Sequence, residues 1–204
     1  MTMDSASVRA ALATLATALT VAAYAPYLRA ILLGSVRPHM FTWIVWGTST
    51  GVAFLAAIEA GGGAGAWVIG FSAIVSLVIA VLAWQRRSDV GITRTDWAFF
   101  VAALVAMPLW QWADDPLWAV WLVTVIELLG FGPTLRKTWA QPFSESMSFL
   151  AILIVRNALV IAALAHQTTT TVLFPAAAAL ACFALIAVMM WRRPQVGHQT
   201  TSGQ

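Results

Sequence analysis

Pro26-Tyr27-Leu28-Arg29 stands near the end of a long apolar run, and Pro133-Thr134-Leu135-Arg136 stands near the end of another. An aromatic precedes each proline by two residues, Tyr24 in the first stretch and Phe131 in the second. The two stretches lie 107 residues apart (133 − 26), and the offset recurs without gaps. Thr17 maps to Thr124, Met40 to Met147 and Ala56 to Ala163. Ile79-Ala80-Val81 and Trp84 fall on Ile186-Ala187-Val188 and Trp191, and Arg86 falls on Arg193. One shift shared by independent matches over three apolar runs marks a duplicated unit rather than chance.

The composition says where such a unit lives. Of 204 residues, 61% are hydrophobic and 9% charged, against about 25% charged in soluble domains. Mean hydropathy is +0.84. The apolar residues come in runs of about 20, the length that crosses a bilayer as a helix. The expectation is an all-α integral membrane protein whose first partner is the lipid bilayer, placed as a multi-pass protein of the plasma membrane (the inner membrane of a bacterium). A pI near 9.8 could suggest nucleic acid. The arginines, however, sit beside the apolar runs, where they set orientation, so no nucleic-acid partner is expected. Cys182, the single cysteine, lies inside an apolar run, which excludes an internal disulfide and a cysteine metal site. The N-terminal run is longer than a secretory signal core and lacks a basic start, so it reads as a retained first span.

Seven spans are expected, at about 8–33, 40–58, 66–84, 97–113, 117–135, 147–165 and 172–191. The first contains Pro26, and the short fourth is broken by Pro108. Gly61-Gly62-Gly63-Ala64-Gly65 is expected to be a flexible connector between the second and third spans. Lys and Arg alternate from connector to connector. Arg29 and Arg37 follow span one, Arg86, Arg87 and Arg94 span three, Arg136 and Lys137 span five, and Arg192 and Arg193 span seven. The connectors after spans two, four and six carry Glu59, Asp114, Asp115 and His166 instead. Positive-inside alternation puts the N-terminus outside and the C-terminus inside. The domain plan is therefore a first three-helix repeat (8–87), a linker helix (97–113), a second three-helix repeat (115–193) and a disordered cytoplasmic tail (194–204). An odd linker helix makes the two three-helix bundles parallel, related by an axis along the membrane normal.

This 3+1+3 plan, with a proline late in the first helix of each triplet, resembles the SWEET sugar transporters and the wider PQ-loop family over about residues 11–193. Pro26 and Pro133 match the family's first-helix prolines. Trp43-Ile44-Val45-Trp46-Gly47 is similar to the W-x-x-Y-G of SWEET second helices, with Trp in place of Tyr. Ser144-Glu145-Ser146-Met147 is similar to the serine-containing start of the sixth helix. The glutamine of the PQ signature is replaced by Tyr27 and Thr134. Where the family places a sugar-contacting asparagine in helices three and seven, this chain offers Ser72, Ser76 and Cys182. The resemblance implies transport, and it does not imply sugar as the cargo.

Several residues could carry that function. A mid-helix proline removes one hydrogen bond and crowds the carbonyl four residues earlier, here that of Ala22 or Leu129. Pro26 and Pro133 are therefore candidate hinges, or else static kinks. Glu127 and Arg156 fall halfway along their spans, where an isolated charge costs at least about 2.5–3.5 kcal/mol, so they are expected to pair with each other or face water. Together they are either a cargo or proton-coupling site or a buried ion pair locking two helices. Their repeat mates are the neutral Thr20 and Ser49. Asn157 beside Arg156, Ser49, Ser76, and Trp43 and Trp46 complete the candidate pathway. Trp84, Trp97, Trp118 and Trp191, near span ends, read as interfacial anchors. Gly47-Thr48-Ser49-Thr50-Gly51 has the spacing for close helix approach. His39 is a candidate gate or a loop histidine.

No metal-binding, nucleophile–base or phosphate-loop spacing occurs, so neither an enzyme nor a cofactor is expected. The only lysine, Lys137, lies in a loop, which argues against a retinal-binding protein. The function expected is alternating-access transport of a small polar solute, sugar-like or amino-acid-like, facilitative or proton-coupled. The alternative is a non-transporting receptor or assembly protein on the same fold. Either is compatible with a homo-oligomer.

Overall fold

The computed structural model describes residues 5–34, 40–85, 94, 97–98, 101, 105, 116–140, 142 and 146–201. The side chains of 41–42, 132–134, 136–137, 140 and 196–201 stand apart from that description. Among the described residues there are six helices: α1 Ser5–Leu32, α2 Met40–Glu59, α3 Gly63–Gln85, α4 Pro116–Ala140, α5 Met147–Ala163 and α6 Thr169–Thr201. Of the span expected at 97–113, only Trp97, Ala98, Val101 and Val105 are described, all helical. Pro108, Pro38 and His39 lie outside the described residues, as do Arg86 and Arg87.

Among the described residues all the regular structure is helical, consistent with a helical membrane protein. Three helical stretches among the described residues are long and apolar enough to cross a bilayer: Ser5–Leu32, Gly63–Gln85 and Thr169–Gln195. Trp43–Glu59, Pro116–Phe131 and Met147–Ala163 are shorter apolar helices. The outer surface suits lipid. On α3, Trp67, Ile74, Leu77, Val78, Val81 and Trp84 are all exposed, a continuous apolar face that water would not favour.

Helix ends follow local chemistry. Pro116, which lacks the N–H that a first-turn position leaves unused, opens α4. Ser146 caps α5, its Oγ accepting from the Phe149 N–H at 3.3 Å. α1 runs unbroken through Pro26 to Leu32, and Gly34 in the turn that follows has a φ of +73°, which permits the left-handed conformation. α4 runs on through position 133 to Ala140, past the expected end at 135, and α6 continues through Arg192 and Pro194 to Thr201, over the stretch expected to be a disordered tail.

The packing is reciprocal. α1 and α2 both lie against α3, and α4 and α5 both lie against α6. Between these triplets α1 packs on α5, α2 on α4, α3 on α5 and, more lightly, α2 on α6. Exchanging α1 with α4, α2 with α5 and α3 with α6 converts each of these pairs into another of them. The 107-residue offset in the sequence thus has a counterpart in which helices touch.

The glycine-rich connector is a packed turn rather than a flexible one. The Gly62 N–H donates to the Ala57 carbonyl at 2.7 Å, and the Ala165 N–H donates to the Gly62 carbonyl at 3.0 Å. The α2–α3 turn is thereby tied to the equivalent α5–α6 turn. Gly65 brings α3 onto the end of α5, where a Cβ would come within 2.7 Å of both Leu164 N and Val160 O. Within the Gly-x-x-x-Gly of α2, Gly47 lies under Leu77 of α3, whereas Gly51 faces open space.

Candidate functional site

Three apolar clusters bracket the centre of the bundle. Toward the N-terminal end of α1, Ala13 and Ala16 pack with Val52, Ala53, Ala56, Val68, Val120, Val123 and Val160. Toward the other end, Ile31, Trp43 and Ile79 form one cluster, and Leu150, Cys182, Leu185 and Met189 form a second. Between the two levels lies a polar layer. Thr20, Ser49, Ser72, Ser76, Thr124, Arg156 and Asn157 are all buried in it, and Glu127 is half-buried.

Arg156 is only 8% exposed, and its guanidinium reaches across the triplets. Its Nε–H donates to Thr20 Oγ1 of α1 at 3.1 Å. Nη2 donates to the Val68 carbonyl of α3 at 3.0 Å and to Ser72 Oγ. Nη1 donates to Asn157 Oδ1 at 2.7 Å. Four of the five guanidinium N–H donors therefore end on oxygen. The acceptors are held in turn: Thr20 Oγ1 donates to the Ala16 carbonyl at 2.8 Å and Ser72 Oγ to the Val68 carbonyl at 3.1 Å. Adjacent helical residues point about 100° apart, yet the long Arg156 side chain folds back far enough to meet Asn157.

The pair expected from sequence is not formed. Among the described residues every hydrogen-bond acceptor of Arg156 is a neutral oxygen, and Glu127 is not one of them. Neutral dipoles from three helices surround the cation instead of a counter-charge. Glu127 Oε2 is buried with no hydrogen-bond partner, and so are Ser49 Oγ and Thr124 Oγ1. Thr124 and Glu127 share one face of α4 at i, i+3 spacing. Tyr24 lies within electrostatic reach of both Glu127 and Arg156.

Next to this layer, aromatic rings join the two triplets. Phe149 meets Tyr24 edge-on at 6.2 Å between centroids, and Tyr24 meets Trp43 at 6.1 Å. Trp43 meets Trp46 at 5.4 Å, and Trp46 stacks on Phe131 at 6.1 Å. Tyr27 packs on Trp43 at 5.3 Å. Trp46 Nε1 lies over the backbone of α4 at Gly130, 3.2 Å from where a Cβ would stand. The repeat-related Tyr24 and Phe131 thus occupy one continuous row of rings.

The structure brings Trp43 and Trp46 together in that row, and it places Ser49, Ser76, Glu127, Arg156 and Asn157 in or beside the polar layer. Pro26 is exposed on α1, away from both, and the Pro133 side chain lies outside the described residues. Sequence reasoning did not pick out Thr20, Ser72, Thr124 or Tyr24 as site residues. The repeat could have found two of them, since Thr20 is the mate of Glu127 and Tyr24 the mate of Phe131. The Val68 carbonyl carries no side-chain signal at all.

Comparison of the chain with family models, curated proteins and solved structures returns no match.

Proposed function

We propose that this chain is a seven-span membrane transporter that carries a small polar solute by alternating access between two parallel three-helix repeats, with the N-terminus outside. The observation that carries the proposal is the central polar layer. Eight side chains that can hydrogen-bond or ionise sit midway along apolar helices, drawn from five of the six helices and from both triplets. Two of the eight, Glu127 and Arg156, are ionisable, and ionisable groups at such depth are expensive and by default point to a solute or ion pathway. The reciprocal helix contacts support the duplicated 3+1+3 plan that the SWEET and PQ-loop transporters share. In this account Pro26 and Pro133 are the bends about which the triplets rock, and the aromatic row closes the cytoplasmic side.

The test is uptake into proteoliposomes across a panel of labelled sugars, amino acids and amines, with and without a pH gradient. Saturable flux of at least one solute, lowered by Glu127→Gln, is the expected result. Absence of flux for every member of the panel would remove the transporter proposal. One observation favours the second reading, a non-transporting receptor or assembly protein. Arg156 is held by fixed partners on both triplets, as a static lock would be.

A further inference from the structure

The exchange that relates the triplets also relates the two halves of the polar layer, and the halves differ. Arg156 of α5 meets Thr20 of α1. Under the 107-residue offset their mates are Ser49 of α2 and Glu127 of α4, on helices that also pack against each other. Two contacts fix the level of these mates. Trp46 stacks on Phe131, and Val52 and Ala53 share a cluster with Val120 and Val123. α2 therefore runs antiparallel to α4, and interpolation between those contacts puts Ser49 level with Glu127. In one half every polar atom of the pair is partnered. In the other, Ser49 Oγ, Thr124 Oγ1 and Glu127 Oε2 are buried with none. Ser49 and Thr124 are themselves 0% and 2% exposed.

We propose that this unpartnered half, Glu127 with Ser49 and Thr124, is a binding site for a primary ammonium group, so that the solute is an amine. The inference rests on the transporter reading only for its biological sense, since binding can be measured without flux. Three buried oxygens lack hydrogen bonds, and a primary ammonium carries three N–H donors in a compact head. The Glu127 carboxylate supplies the opposite charge. The stacked pair Trp46 and Phe131, one turn along α2 and α4, supplies the aromatic surface that favours an organic cation over a strongly hydrated metal ion. Arg156, in the same polar layer and committed to neutral oxygens, disfavours a second cation on its own side and confines the ammonium to the α2–α4 half.

The test uses the full chain in nanodiscs, titrated with methylammonium, tetramethylammonium, sodium and potassium chloride, with tryptophan fluorescence and thermal unfolding as readouts. Methylammonium is expected to saturate, to change the fluorescence and to raise the unfolding temperature. Tetramethylammonium, which has no N–H, should bind more weakly. Glu127→Gln should weaken methylammonium by roughly tenfold or more, the usual scale for a lost hydrogen bond to a charged group. Ser49→Ala should weaken it by a smaller factor without loss of folding. Equal responses to methylammonium and sodium, a response to pH with none to amines, or an unchanged affinity in Glu127→Gln would each overturn the proposal. Amine binding without flux in proteoliposomes would leave this site standing and remove the transporter reading. Flux of a sugar with no amine binding would do the reverse.

Discussion

Two ionisable residues at the same depth have opposite situations. Arg156 is embedded in oxygens from α1, α3 and α5, so removing it takes from Asn157 Oδ1 the donor it accepts from and leaves Thr20, Ser72 and the Val68 carbonyl with only their helix-internal bonds. Leaving a buried polar group without its partner costs about 1–3 kcal/mol. Arg156→Ala is accordingly expected to destabilise the fold by about 2–4 kcal/mol. Glu127 is different, because its buried oxygen already lacks a partner. Glu127→Gln removes the charge at nearly constant volume and is expected to leave the unfolding temperature unchanged or raised. Thermal unfolding of the purified protein in detergent checks both. Equal losses for the two variants would show that Glu127 too is a structural partner. The residue types and their depth are legible in the sequence, but their partners are not. A pairing of opposite charges is the simplest guess for two midplane ions, and backbone carbonyls and hydroxyls, which have no charge pattern, won instead.

At the scale of the helices, close approach is set by glycine and flexibility by proline. Gly65 admits the backbone at the end of α5, and a methyl there would meet Leu164 N and Val160 O. Backbone cannot yield as a side-chain tip can, so Gly65→Ala is expected to cost about 3 kcal/mol or more in unfolding free energy. Gly51→Ala, which would meet nothing within 4 Å, should be neutral or slightly stabilising through helix propensity. Chemical denaturation of the two variants side by side tests this contrast. Pro26 leaves the Ala22 carbonyl without its helical partner, and the side chain is exposed. Pro26→Ala is therefore expected to stabilise α1 while slowing turnover, if the bend is the moving part. Faster or unchanged transport would mark it as a static kink. The glycine run at 61–65 shows how composition misleads: the same residues that read as a flexible linker are required by a turn with two positive-φ glycines, Gly61 and Gly63, and by packing against α5.

For the whole molecule, the offset of 107 residues was readable because exact matches recur along three apolar runs, at buried positions such as Ala56 and Ala163 and at exposed ones such as Trp84 and Trp191. Its structural counterpart is the reciprocal set of helix contacts. The boundaries of α1, α2 and α5 follow the apolar runs to within about three residues. Those of α4 and α6 do not, since a helix can extend past its apolar stretch wherever its polar end finds partners. At the end of α6, Arg192 donates to the Trp139 carbonyl at 3.0 Å and lies 5.1 Å from the Trp139 ring centre, and Arg193 donates to the Pro142 carbonyl at 3.0 Å. These contacts hold the basic end of α6 against the α4–α5 turn, on the side that positive-inside orientation assigns to the cytoplasm. A cysteine placed at Ser5 in a Cys182→Ala background should be labelled from outside intact cells, and one placed at Gln195 only after permeabilisation. The opposite pattern would invert the topology.

Alternating access makes one demand that neither a channel nor a receptor shares: one site serves the two faces in turn, so unlabelled solute inside competes with entered label for the way out. Counterflow in proteoliposomes measures this directly. Vesicles preloaded with a millimolar unlabelled solute from the uptake panel are diluted into a trace of the same solute in labelled form. Transient accumulation of label above its equilibrium level, lost in Glu127→Gln, is the expected result. Label that never exceeds equilibrium, or never enters, would contradict it.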